Sequence, residues 1–301
     1  MPRFMLVLLT AACASNSDIS VPPQIATLAI VPDVKRLGVN SRVQLTAVAE
    51  DSLGHTIVVI PVWSVFPQDV TIDQTGTVQS GTSTGSFTVN ASAQGKAGTA
   101  TVTVLPDLVV YEGDSNTAGA GVGANSYARQ AILTLDPRVE YYNVAVDGSR
   151  ISSANARAQR VDSLFDGDRS RNVLSVMLGT NDLIQAHGIV STPASIYSAL
   201  KEYWAARRAR GFKIVAKTIL PANILPATIF RESDRDELNT LIRSNLSLYD
   251  AIADFAADPV MGNPAAPGDT SLYQDGLHPT LYGHSLLAKL EKAALLSVLK
   301  K

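Results

Sequence analysis

Cysteine is almost missing from the 301 residues: Cys13 is the only one. An internal disulfide is therefore excluded, and so is a cysteine-built metal centre. Histidine is scarce too, with His55, His187, His278 and His284 making up all four. No two of them stand at helical metal-ligand spacing, and H-E-x-x-H is absent. Neither a metal nor another cofactor is expected. Charged residues make up only 17% and the net charge is −2, with no basic run and no basic patch interleaved with aromatics. Nucleic acid is therefore not an expected partner. No apolar run approaches the roughly 18 residues of a membrane span. A Gly-Lys-Ser/Thr phosphate loop is also missing. Gly119, Gly121 and Gly123 stand as G-x-G-x-G, several residues late for the G-x-G-x-x-G of a dinucleotide site. These glycines are expected instead to form a flexible rim.

Apolar residues are plentiful, at 46%, so a sizeable core is available. At the start, Arg3 precedes "FMLVLLTAACAS", a short apolar stretch that ends in small residues and Cys13. This order of positive flank, apolar region and small-residue cleavage site resembles a bacterial lipoprotein signal, with residues 1–13 removed up to a lipidated Cys13. The other reading is a trimmed or misassigned start with a chance cysteine. Export to the cell surface, outer membrane, periplasm or medium is the expectation. A lipid anchor at Cys13 would be the one membrane contact. Residues 14–23, "ASNSDISVPP", read as a tether.

Residues 24–105 are rich in Val, Thr, Ser and Gly. "RVQLTAVAE" puts Val43, Leu45, Ala47 and Ala49 on one face, "SFTVNAS" does so with Phe87, Val89 and Ala91, and "TATVTVL" with Ala100, Val102 and Val104. Period-2 alternation broken by Gly and Asp turns predicts an all-β sandwich with Trp63 in its core. The stretch "LAIVP…QLTAVAEDSLG…VWSV…VTIDQTGTV…AGTATVTV" resembles the bacterial Ig-like group 2 domain. Such a unit would act as a spacer or touch a cell surface or glycan.

From Asp107 the period changes. Strand-length apolar runs at 107–112, 139–146, 172–178, 213–220 and 249–256 alternate with helical candidates at 124–135, 152–165, 194–210, 233–247 and 280–299. That alternation predicts a second domain over 107–301, a parallel sheet covered on both faces. Ligands of such sheets bind at the carboxyl ends of the strands. The first three strands end there in "GDSN", "NVAVDGSR" and "MLGTND".

Taken alone, Ser115 in "GDSN" reads as a turn serine that caps a helix. Acyl transfer asks for more: an oxygen nucleophile, a base, a group that orients the base, and donors for the oxyanion. Far downstream, "YQDGLHPT" offers His278 as base and Asp275, three residues earlier, as orienter. Oxyanion donors would be the N–H groups of Ser115 and Gly148 and the side-chain amide of Asn181. Asp114 and Asp182 read as structural carboxylates that bind loop N–H groups. His284 is the rival base, but a helix from 280 onward would carry it away from Asp275. His55 and His187 read as surface residues.

The blocks "GDSN" (113–116), "NVAVDG" (143–148), "GTND" (179–182) and "DGLH" (275–278), in this order, resemble the SGNH or GDSL-like hydrolases. Ala145 stands where the family often has glycine, and Asn116 where its name motif has leucine. The resemblance implies a three-layer α/β/α sandwich around a five-stranded parallel sheet, the flavodoxin-like SGNH hydrolase fold. It implies metal-free ester hydrolysis by Ser115, His278 and Asp275, with Ser115, Gly148 and Asn181 as the oxyanion hole. Small-molecule or polysaccharide esters are the expected substrates, short acetyl esters of carbohydrates foremost. Lipid and thioester substrates stay open, as does a surface-binding protein whose Ig-like part carries the function.

Overall fold

The structure is a computed structural model and describes residues 24–135, 139–184, 191–224 and 230–300. The expected signal segment, Cys13, the tether and His187 lie outside the described residues.

Alternating side chains fold residues 24–105 into ten strands: β1 (Thr27–Val31), β2 (Val34–Gly38), β3 (Arg42–Gln44), β4 (Thr46–Glu50), β5 (Thr56–Ile57), β6 (Val62–Phe66), β7 (Val70–Ile72), β8 (Thr77–Ser80), β9 (Gly85–Ala93) and β10 (Lys96–Leu105). They form sheets of order β1-β4-β5, β2-β10-β9-β6 and β3-β8-β7. Leu45, Val78, Val89, Ala91 and Val102 are fully buried between them, and Trp63 packs into the same core. At Leu45 the chain leaves β8 and joins β1, so the run 42–50 serves two sheets.

The second part alternates strands and helices. β11 (Leu108–Gly113) leads to α1 (Ser115–Ala118) and α2 (Tyr127–Leu133). β12 (Glu140–Asn143) leads to α3 (Ile151–Ala156) and α4 (Gln159–Asp162). β13 (Asn172–Met177) is followed by α5 (Thr180–Leu183) and α6 (Pro193–Arg210), β14 (Lys213–Lys217) by α7 (Glu232–Arg243), and β15 (Ala251–Ala253) by α8 (Leu281–Leu299). The strands form a wholly parallel sheet of order β12-β11-β13-β14-β15. Because the central β11 and β13 are covered on both faces, every one of their residues is buried. α2 packs with α8 on one side of the sheet, and α3 and α7 pack against α6 on the other. This is the expected three-layer arrangement.

Several elements are shorter than the sequence pattern suggests. The helix expected at 152–165 is two helices, broken where Arg157 turns its guanidinium back to Ser149 Oγ at 2.6 Å. The second strand stops at Asn143, whose side chain takes over by bonding the Thr117 carbonyl and the Ala145 N–H. α6 has sharp ends. Thr192 and Ser195 form a capping box, Pro193 opens the helix, and Gly211, at φ +115°, closes it.

Only Pro106 and Asp107 separate β10 from β11. The two parts also dock. Arg36 pairs with Asp166 and Asp168, and Ser41 Oγ lies 2.8 Å from Ser170 Oγ. Gly38 approaches so closely that a Cβ there would sit 2.1 Å from the Ser170 nitrogen. These contacts lie at the amino-terminal ends of the parallel strands.

Candidate active site

Everything at the opposite end of the sheet begins with β11. Gly113 has room for no side chain: a Cβ would lie 2.3 Å from Thr117 Oγ1 and 2.7 Å from the Met177 carbonyl. Asp114 then caps α1, its Oδ1 accepting the Asn116 N–H at 3.0 Å. Burial pushes the Asp114 carboxyl up to about 6, against the pull of the Thr180 hydroxyl and the Asn116 N–H. Ser115, the first residue of α1, is buried but for its outer edge.

His278 Nε2 stands 2.9 Å from Ser115 Oγ, and His278 Nδ1 stands 2.7 Å from Asp275 Oδ2. The structure thus brings these three residues, 163 positions apart at the extremes, into one line of hydrogen bonds. The Asp275 loop holds itself in shape, with Oδ1 accepting the backbone N–H groups of Leu277 and His278 at 3.0 and 2.8 Å. Partial burial raises the Asp275 carboxyl, but the bonds from His278 and Leu277 outweigh it and keep it below the usual aspartate range. At Gly276, φ is +79° and a Cβ would meet the Asn223 carbonyl at 2.3 Å, so only glycine fits this turn.

The proposed oxyanion donors sit on adjoining loops. Asn181 lies in α5, and its Nδ2 donates to the Ser149 carbonyl at 3.1 Å. That bond ties it to the turn carrying Gly148, which has φ +71° and open space where a Cβ would be. An amide nitrogen has two hydrogens, so Asn181 keeps a second one to offer. Asp182 accepts the Ile151 N–H at 3.2 Å, which fixes the same two loops together.

His284 is carried into α8 and fully buried, its Nδ1 accepting the Tyr127 N–H at 3.1 Å. Burial, with a smaller contribution from the His278 charge, pulls it down to about 4. His55 is exposed in the strand-rich part beside Asp51. The glycine stretch 119–123 departs from the flexible rim expected of it. Gly123 and Val122 bond back to the Gly119 carbonyl at 2.7 and 3.0 Å, and Gln274 Nε2 clamps the Ala120 carbonyl at 3.1 Å. The reading from sequence passed over Gln274, Thr117, Tyr127 and Asn143. Asn143 left a trace, as a lone amide inside the apolar run 139–146.

The family model of the GDSL-like lipases and acylhydrolases matches residues 113–286. Among solved structures, a lipase/acylhydrolase from Enterococcus faecalis is 18% identical with a TM-score of 0.50, covering 64% of this chain and 96% of that one. The acetyl xylan esterase AlAXEase is 20% identical with a TM-score of 0.50, covering 62% of this chain and 99% of that one. At such identities the likeness speaks for the fold. No curated protein sequence matches the chain. The matched segment runs from the end of β11 into α8, encloses all four sequence blocks and spans more than half of the residues. The chain belongs to the GDSL-like lipase/acylhydrolase family.

Proposed function

We propose that the protein is an exported serine esterase that removes short acyl groups, acetyl foremost, from carbohydrates. The observation that carries the reading is the hydrogen-bonded line from Ser115 Oγ through His278 to Asp275, at 2.9 and 2.7 Å. Ser115 Oγ attacks the ester carbonyl while its proton passes to His278 Nε2. Asp275 holds the ring so that Nδ1 carries the other proton and steadies the imidazolium that forms. The carbonyl oxygen becomes an oxyanion, met by the N–H groups of Ser115 and Gly148 and by Asn181 Nδ2. Collapse breaks the bond to the alcohol, which leaves with the proton from His278. Water, deprotonated by the same imidazole, then attacks the acyl-serine; the acid departs and Ser115 regains its hydrogen.

Small and polar groups at the strand ends favour a short acyl chain and a polar alcohol: the turn at Gly119–Gly123, Gly148 and Asn181. The strand-rich part is read as an Ig-like sandwich that serves as a spacer or surface contact. Cys13 is read as a lipid anchor, tested by loss of membrane retention in Cys13→Ser.

Hydrolysis of p-nitrophenyl acetate tests the chemistry. Ser115→Ala should lower kcat at least about 10³-fold, and Asn181→Ala about 10²- to 10³-fold. Full activity of Ser115→Ala would sink the reading. A series of acyl lengths, run beside acetylated glycans, separates the carbohydrate reading from a lipid or thioester one: a maximum at long chains would overturn the acetyl preference.

A further inference from the structure

The contact between Ser115 and His278 joins two elements far apart in the chain, and one residue supports both from behind. α1 has only four residues, too few to persist as a helix without outside support. Asn143 Nδ2 holds the Thr117 carbonyl at 2.8 Å, and the Thr117 and Tyr127 hydroxyls lie 2.9 Å apart. Tyr127 is fully buried. Its backbone N–H, an orphan donor in the first turn of α2 that Ser126 leaves without a side-chain cap, donates to His284 Nδ1 at 3.1 Å. The Tyr127 and His284 rings stack with centroids 6.0 Å apart and planes inclined by 20°. His284 lies in the first turn of α8, which begins three residues after His278. Phe255 and Tyr111 meet the Tyr127 ring edge-on at 5.1 and 6.3 Å, which fixes the ring in place.

We propose that Tyr127 is a positioning residue for the Ser115–His278 pair. Its hydroxyl fixes α1 through Thr117, its N–H fixes α8 through His284, and one wedged ring sets the spacing of nucleophile and base. The proposal rests on the serine esterase reading for its kinetic consequences, but its geometric part stands apart from that reading. Thr117 and Tyr127 touch neither the acyl group nor the imidazole of His278, so their effect falls on turnover rather than on substrate affinity. A misplacement well below 1 Å is enough, because attack needs the reacting atoms in line.

Tyr127→Phe keeps the ring and the N–H and removes one hydroxyl. The expected result with p-nitrophenyl acetate is a fall in kcat of about tenfold with KM within about twofold. Thr117→Val should show the same loss, and Thr117→Ser, which keeps the hydroxyl, should retain the parent rate. Because the two hydroxyls act as one unit, Tyr127→Phe/Thr117→Val should lose no more than either single variant. The ring-nitrogen NMR signals of His278, recorded without substrate, should move in Tyr127→Phe. Unchanged kcat and unmoved His278 signals in folded Tyr127→Phe overturn the proposal, as do losses that simply add in the double variant. A lowered melting point with intact kcat would make Tyr127 structural only and would overturn it too. If Tyr127→Phe fails to fold, the contrast between Thr117→Val and Thr117→Ser decides. A parent that hydrolyses no ester, yet whose His278 signals move in Tyr127→Phe, sinks the esterase reading and leaves the positioning role standing.

Discussion

Glu112 lies three residues before Ser115 on β11 and has no exposed surface. One carboxyl oxygen accepts the Gly113 N–H at 3.1 Å and the other has no partner among the described residues. Burial pushes this carboxyl up to about 7, against the Gly113 N–H and the charges of Arg157, Arg160 and Arg207. The folded state therefore keeps a proton that the unfolded chain gives up from about pH 4.5. Stability is lost as pH rises from there to about 7, by about 3 kcal/mol in all. His284 acts with the opposite sign. Its folded value of about 4 lies below its ordinary 6.5, so its contribution is complete above pH 6.5 and is lost as pH falls towards 4. The two slopes oppose each other where they overlap, so single variants are needed to see either. Glu112→Gln should raise the melting point relative to the parent at pH 8 and leave it nearly unchanged at pH 5. An equal shift at both values would refute the assignment.

At the scale of elements, local signals and long-range contacts part company. α6 is written in its own sequence: Thr192, Pro193 and Ser195 open it and Gly211 ends it. Thr192→Ala should cost about 1 kcal/mol in urea unfolding, since it strips the cap; no change in midpoint would show that the capping box is idle. The alternation from Asp107 is legible for a similar reason, because β11 and β13 are nearly continuous apolar runs. Ser115 is legible as a candidate because it directly follows the first parallel strand, and Asp275 and His278 because they stand together in the downstream block "DGLH". The break at Arg157 and the tight turn at Gly119–Gly123 are not. Each depends on a side chain that arrives from elsewhere: Ser149 in one case and Gln274 in the other. Tyr127 is hidden for the same reason, since its partner His284 is 157 residues away. Glu112 is hidden because apolar patterning does not show that one carboxyl among its neighbours has been sealed from water.

At the scale of the whole molecule, the described residues form two separate cores, one in the strand-rich part and one around the parallel sheet. They meet through Arg36, Ser41 and the close approach of Gly38 to Ser170. Gly38→Ala should force that contact apart. The expected outcome is a lower melting point by calorimetry with unchanged kcat on a soluble ester, because the contact lies at the far end of the strands from Ser115. A fall in kcat to match would mean that the site feels the junction.

The two-residue junction at Pro106 and Asp107 has a consequence for reach. β11 leaves the junction at Leu108 and, after six residues of strand spanning about 20 Å, delivers Ser115 just past its other end. The junction, and the contacts that dock the strand-rich part beside it, therefore lie behind Ser115 with the length of the sheet between them.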